Sequence, residues 1–281
     1  MTAPFGARLR AALDTRGPLC AGIDPHSALL TSWGLSDDVA GLERFAGTVV
    51  DALADRVAVL KPQSAFFERF GSRGVAVLER TIADARSAGA LVILDAKRGD
   101  IGSTVEAYAQ AYLDSAAPLF ADALTASPYL GYASLEPLYA TAEKHGAGVF
   151  VLAFTSNPEG AAVQQAVTAD GKTVGATILE GAAARNAGIE PLGSIGAVVG
   201  ATLAQVPFDL AALNGPILAP GLGAQGATPE DLRGLFGDAL GNVVPSMSRE
   251  LLRHGPGIAG LREAAERSIA ACRTALRYAG T

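Results

Sequence analysis

Short apolar runs recur along this chain, and most are followed by a longer stretch with apolar residues at helical spacing. The runs are LCAGI (19–23), VAVLK (57–61), ALVILD (90–95), ADALTA (121–126), AGVFVLAF (147–154), IGAVVG (195–200), PILA (216–219) and NVVPS (242–246). Between and after them the pattern predicts helices over 37–55, 72–88, 103–114, 133–145, 175–187, 202–213, 228–236 and 259–278. The runs lack clean polar alternation, which implies burial on both faces, as in parallel sheets covered by helices. Eight strands alternating with eight helices predict an α/β fold, a (β/α)8 barrel. A doubly wound open sheet is the rival, but its glycine fingerprint should follow the first strand, and GIDPHS (22–27) is not one.

No Ser/Gly/Pro linker or sustained charge run divides the chain, so a single barrel domain over 1–281 is expected. One irregularity precedes the fifth helix. In VQQAVTADGKTVGATI (163–178), Asp170-Gly171 sits between two polar–apolar alternations, a hairpin signal that predicts a β-hairpin insertion near 161–175.

Charge and cysteine content narrow the function. A net charge of −6 argues against a nucleic-acid or anionic-membrane binder, which needs a broad basic surface, but leaves room for an anionic small molecule. No apolar run is long enough to span a bilayer. Cys20 and Cys272 form no CxxC pattern, and the chain starts without a signal-peptide pattern, so reduced thiols in the cytoplasm are expected. His26, His145 and His254 share no metal-ligand spacing, and no metal is expected.

Reactive residues of a barrel sit at the C-terminal ends of its strands. Strand one ends at Asp24, strand two at Lys61, strand three at Asp95 and Lys97, and strand five near Ser156. Strand seven runs into PGLGAQG (220–226) and strand eight into Ser248 and Arg249. A lone Asp–Lys pair is often a plain salt bridge; four such groups on three successive strand ends point to a reaction centre. Asp95 and Lys97 stand at i and i+2 and should project together. Asp100 follows in a loop that Gly99 and Gly102 let turn sharply. Carboxylates keep a neighbouring lysine in its ammonium form and repel a substrate anion beside them. One pair of like charges at about 4 Å costs ~4 kcal/mol at an effective dielectric near 20. Departure of a carboxylate as CO2 relieves that repulsion, and the ammonium can protonate the carbanion left behind. The signs suit decarboxylation. The glycine turn after strand seven, with Gln225 in it and Arg249 beyond the next strand, suits a phosphate.

With these residues in hand, the sequence resembles the orotidine 5′-phosphate decarboxylases, and within them the longer bacterial "type 2" subfamily. The resemblance rests on D-x-K-x-x-D-I at Asp95–Ile101 with Thr104 after it, and on GIDPH, LKPQSAFFERFG (60–71), TSNPEG (155–160), PGLGAQG and SMSREL (246–251), in order along nearly the whole chain. It implies a homodimeric barrel that converts orotidine 5′-monophosphate to UMP and CO2 with neither cofactor nor metal. On matching positions it implies Lys97 as proton donor to C6 and Asp95 as the carboxylate beside the departing one. It implies Asp24 and Lys61 at the ribose, with Lys61 also joining the charge array. Ser156 would read the pyrimidine edge, with Pro220 beside it, while Gln225 and Arg249 hold the phosphate and Ser248 stands next to Arg249. Asp100, Ile101 and Thr104 would reach the neighbouring subunit's site. Two departures stand out: Ser248 precedes the arginine where shorter relatives carry Gly-Arg-Ser, and the 161–175 stretch is longer than theirs. The nearest enzymatic alternative is a Mg2+-using 3-keto-L-gulonate-6-phosphate decarboxylase-like barrel with the same DxKxxD array. A Schiff-base aldolase is disfavoured, because flanking carboxylates oppose the free amine it needs. A silent phosphosugar-binding barrel would leave the charge array without a purpose.

Overall fold

The computed structural model describes residues 2–223, 226–228 and 230–276. Eight parallel strands close into a barrel in chain order: β1 (Cys20–Ile23), β2 (Val59–Pro62), β3 (Leu91–Arg98), β4 (Ala123–Ala126), β5 (Gly148–Phe154), β6 (Ile195–Val199), β7 (Ile217–Pro220) and β8 (Val243–Met247). β8 pairs with β1 through Cys20↔Ser246 and Ala21↔Met247, which closes the ring and removes free sheet edges. The barrel predicted from the apolar runs is the observed fold, and the open sheet is excluded by this closure.

Side-chain alternation explains why the strands read as unbroken apolar runs. Outward residues such as Ala21, Leu60, Leu94 and Leu124 pack under the helices, while inward ones such as Cys20, Val59, Ile93, Ala123 and Val244 fill the barrel's lower interior. Two residues further along the same inward columns, the type changes: Val59 gives way to Lys61, Ile93 to Asp95, Ala123 to Thr125 and Val244 to Ser246. The barrel is thus apolar at its floor and polar at the C-terminal mouth.

Helices Val39–Leu53, Gly71–Ser87, Gly102–Leu113, Glu136–His145, Val174–Asn186 and Ile258–Leu276 match the predicted segments within a few residues. Asp38 caps the first of them by accepting from Gly41 N at 2.8 Å. The 228–236 segment shortens to a helix at Asp231–Phe236, with Asp231 Oδ2 accepting from both Thr228 N and Thr228 Oγ1 at 2.8 Å.

Three regions depart from the pattern reading. The predicted 202–213 helix is absent except for a single 3-10 turn at Leu210–Leu213. Pro207 has no N–H to give and disfavours helical geometry at Val206, so the chain turns until Asp209 caps the short turn through Ala211 N. An unpredicted helix, Phe5–Arg16, closes the barrel floor: Phe5, Leu9 and Leu13 are fully buried, and the Phe5 ring meets Phe150 edge-on at 5.9 Å. In the stretch 161–175 the expected hairpin differs only in extent: Val167 and Thr173 pair antiparallel around the Asp170-Gly171 turn, with Gly171 at φ +83°, while Ala161–Gln164 before them is helical.

Candidate active site

The inward polar residues enclose a cavity of about 530 Å3 at the C-terminal mouth. That volume suits a nucleotide-sized ligand. Asp24, Lys61, Asp95, Lys97, Ser156, Pro220, Ser248 and Arg249 all line it, so residues from six strand ends converge on one space. Asp100, Ile101 and Thr104 do not line it; Ile101 is 61% exposed on the outer surface. Gln225 lies outside the described residues.

Asp95 is the centre of the array. Its Oδ2 accepts from Lys61 Nζ at 2.9 Å, and its Oδ1 accepts from Lys97 Nζ at 2.6 Å and from Thr125 Oγ1 at 2.9 Å. Burial alone would raise the Asp95 pKa, but the Lys61 and Lys97 ammoniums outweigh it and hold the carboxyl far below the usual carboxylate range. For Lys61, burial opposes the charge, and Asp95 first, then Asp24, overcome it and raise its pKa above the ordinary lysine value. The buried carboxylate is therefore ionised and fully engaged at neutral pH.

Lys97 reaches Asp95 by a route that alternation does not describe. The β3–β4 register shifts between Leu94 and Arg98, and Lys97 adopts φ +50°, in the left-handed region. Thr125 accepts from Lys97 N at 3.0 Å while donating to Asp95, so one hydroxyl fixes both the irregular backbone and the carboxylate. Arg98 braces the same turn: its Nη1 donates to Ala96 O at 3.2 Å, and its guanidinium pairs with Glu68, which also accepts from Ser64 Oγ at 2.6 Å. The left-handed turn leaves Lys97 half-exposed beside the cavity while Lys61 stays buried under it. Of the two lysines, Lys97 is the one placed to move toward a ligand.

Two polar atoms in the cavity wall, Asp24 Oδ1 and Ser248 Oγ, are buried without a hydrogen-bond partner. Buried polar atoms are rarely left unsatisfied, and at a pocket wall these two are available to a ligand's polar groups. Asp24 lies near Lys61 and Arg249 adjoins Ser248, so acceptors for hydroxyl groups and a cation for an anion are both present. Cys20 lies beneath, its thiol pushed up to about 12 by burial, and is inert. Among the described residues, no group of three or more His, Cys, Asp or Glu side chains is placed to hold a metal ion.

The cavity also takes residues that strand-end reading did not select: His26, Gln63, Phe66, Thr125, Thr155, Asn157 and Ser246. Thr125 and Ser246 carried a usable signal, because each stands two positions beyond a buried inward residue of its own strand. For His26 and Phe66, whose tilted rings lie 4.2 Å apart, nothing local in the sequence marks the contact.

The sequence model described as "Orotidine 5′-phosphate decarboxylase / HUMPS family" matches residues 17–263. An orotidine 5′-phosphate decarboxylase of Streptomyces coelicolor is 68% identical over 274 residues, covering 97% of this chain and 98% of that one. One from Salinispora tropica is 64% identical over 272 residues, covering 97% and 98%. Among solved structures, a Streptomyces avermitilis protein provisionally assigned as an orotidine 5′-phosphate decarboxylase superposes with a TM-score of 0.94 at 65% identity, covering 98% of this chain and 97% of that one. Leishmania donovani OMP decarboxylase superposes with a TM-score of 0.76 at 30% identity, covering 98% and 99%.

Proposed function

This chain belongs to the orotidine 5′-phosphate decarboxylase / HUMPS family, and from that membership and the pocket we infer that it converts orotidine 5′-monophosphate to UMP and CO2. The observation that carries the reading is the Lys61–Asp95–Lys97 array, an ionised carboxylate held between two lysines at the mouth of the barrel.

The residue roles proposed here are those the family resemblance implies, and the array's charges are compatible with them. The substrate's carboxylate, set against the ionised Asp95, is repelled in the ground state by roughly 4 kcal/mol at 4 Å and an effective dielectric near 20. The bond from C6 to the carboxylate breaks with its electron pair left on C6, CO2 departs uncharged, and the repulsion ends. Lys97, the half-exposed ammonium of the array, stabilises the developing carbanion and gives its proton from Nζ to C6; solvent then reprotonates the amine. Lys61 stays ion-paired and keeps Asp95 ionised throughout. Asp24 Oδ1 takes a ribose hydroxyl. Arg249 with Ser248 takes the phosphate together with Gln225, while Ser156 and Pro220 meet the pyrimidine. None of these steps calls on a cofactor or a metal ion.

We place this activity in a single catalytic barrel domain in the cytoplasm, in keeping with the two buried, unpaired cysteines. We also propose a homodimer in which Asp100, Ile101 and Thr104 serve the partner's pocket. These residues follow β3 without lining their own cavity, and Ile101 is exposed together with Tyr129 (79%) and Leu130 (53%) on the loop after β4, apolar surface suited to a subunit contact. Turnover of orotidine 5′-monophosphate in D2O tests the chemistry: UMP carrying deuterium at C6 supports protonation at that carbon, and UMP with hydrogen there contradicts it.

A further inference from the structure

The stretch between β5 and the helix Val174–Asn186 is the part of the chain that the pocket chemistry leaves without a role. Its first turn nevertheless reaches the cavity wall. At the end of β5, Phe154 O accepts from Gly200 N at 2.8 Å, and there the ladder stops. The next amide, Thr155 N, donates to Gln164 Oε1 at 2.8 Å, while Gln164 Nε2 donates to Thr155 Oγ1 at 2.8 Å. One side-chain amide thus takes the place of a neighbouring strand and grips a single residue twice. The chain of bonds continues from Thr155 Oγ1 to Asn157 Oδ1 at 2.6 Å and from Asn157 Nδ2 to Glu159 Oε2 at 3.0 Å. Ser156 stands between the two residues so held, and all three line the cavity.

Two glycines report how closely this corner is built. Gly160 has an ordinary φ of −60°, open to any residue, yet a Cβ there would stand 2.8 Å from Thr155 Oγ1 and 3.1 Å from both Gln164 amide atoms. The space it leaves is the space the grip occupies. A Cβ on Gly200 would stand 2.8 Å from Ser156 N and 2.9 Å from Ser156 Cβ, so Ser156 is seated directly against β6. Ser156 is therefore seated by contact against Gly200 at the end of β6, and the residue before it is held by Gln164.

We propose that Gln164 is a positioning residue for the nucleobase end of the pocket: by holding Thr155 it seats Ser156 where the pyrimidine binds, and gives the 158–173 stretch its function. The proposal rests on the reading of Ser156 as a base contact. Its mark is selectivity between ligands, because a loosened Ser156 should affect a nucleotide's base and spare its sugar phosphate.

The test compares UMP with ribose 5-phosphate, which lacks the base, in titrations of the full-length protein. Gln164→Ala is expected to weaken UMP, and to raise KM for orotidine 5′-monophosphate, by about tenfold, as for loss of a ground-state contact, with ribose 5-phosphate within about twofold of wild type. Gln164→Glu keeps an acceptor for Thr155 N and is expected to recover part of the UMP affinity. Gly160→Ala crowds the grip while leaving the Gln164 side chain in the sequence, and is expected to act in the same direction as Gln164→Ala. UMP affinity unchanged in both Gln164→Ala and Gly160→Ala, or both ligands weakened in parallel with a lower Tm, overturns the proposal. Wild-type turnover in the same series separates the two layers: its absence sinks the decarboxylase reading and the proposal with it, whereas parallel weakening beside normal wild-type turnover sinks the proposal alone.

Discussion

Lys97 Nζ lies 2.6 Å from Asp95 Oδ1 although Lys97 stands in the left-handed region at φ +50°, where a side chain longer than glycine's is uncommon. The backbone is held in an unfavourable state that brings the ammonium to the carboxylate. Sparsely populated backbone of this kind persists only where the surroundings impose it, and here Thr125 and Arg98 do so.

Replacing Lys97 should abolish chemistry and spare the fold. Lys97→Ala is expected to lose turnover by ~10³-fold or more, since general-acid groups contribute on the order of 10²–10⁴ and this one also balances the array's charge. Its half-exposed side chain carries little of the core, so the Tm should stay near that of wild type. Steady-state rates and a thermal melt on one preparation check both; activity within about tenfold of wild type contradicts the assigned role.

Thr125 is the residue whose removal separates geometry from charge. Thr125→Val keeps the shape of the side chain but withdraws the donor to Asp95 and the acceptor for Lys97 N. It is expected to cost ~1–3 kcal/mol in urea unfolding, the range for stranding a buried polar group, and to lower kcat more than it raises KM. A kcat equal to that of wild type would show that Lys97 finds Asp95 without this support.

The acid limit of stability should carry the signature of Asp95. Its folded-state pKa is depressed from the ordinary 3.8, burial opposing and Lys61 and Lys97 prevailing. Its contribution is therefore present above that value and lost as pH falls through the folded-state pKa. Lys61 runs the other way: its pKa is raised from 10.5, so its contribution is present below that value and lost only as pH rises past it. Asp95→Asn strands a buried ammonium and should cost about 3–5 kcal/mol at neutral pH. The Tm gap between wild type and Asp95→Asn is expected to be flat between these limits and to narrow in acid below the ordinary aspartate value; a gap that widens there contradicts the assignment.

The proposed shared site predicts complementation. Lys97→Ala and Asp100→Ala proteins should each be nearly inactive alone, and mixing them after subunit exchange should restore activity, because a hybrid dimer holds one pocket with both residues intact. Confirmed exchange without recovery would place Asp100 in its own chain's site.

How much of this was legible beforehand depends on how local the cause is. Strands could be read because burial on both faces leaves runs such as LVILD nearly free of polar residues. Asp24, Lys61, Asp95 and Lys97 could be read because four charged groups gather at the ends of three successive strands. The floor helix had its signal in Phe5, Leu9 and Leu13 at helical spacing, masked by the arginines between them, of which Arg8 pairs with the buried Asp122 at 2.6 Å. The lost 202–213 helix had its warning in Pro207, outvoted by the apolar residues around it. The β3 bulge had none, because it depends on a hydroxyl 28 residues away on β4. The Gln164 grip was hidden for a related reason: a polar residue in an alternating stretch reads as the solvent face of a hairpin.

The most direct test of the central claim follows the absorbance change when orotidine 5′-monophosphate is added to the purified protein, with and without EDTA. Conversion to UMP is expected at the same rate in both, with CO2 released in equal amount. No conversion, or conversion abolished by EDTA and restored by Mg2+, would contradict it.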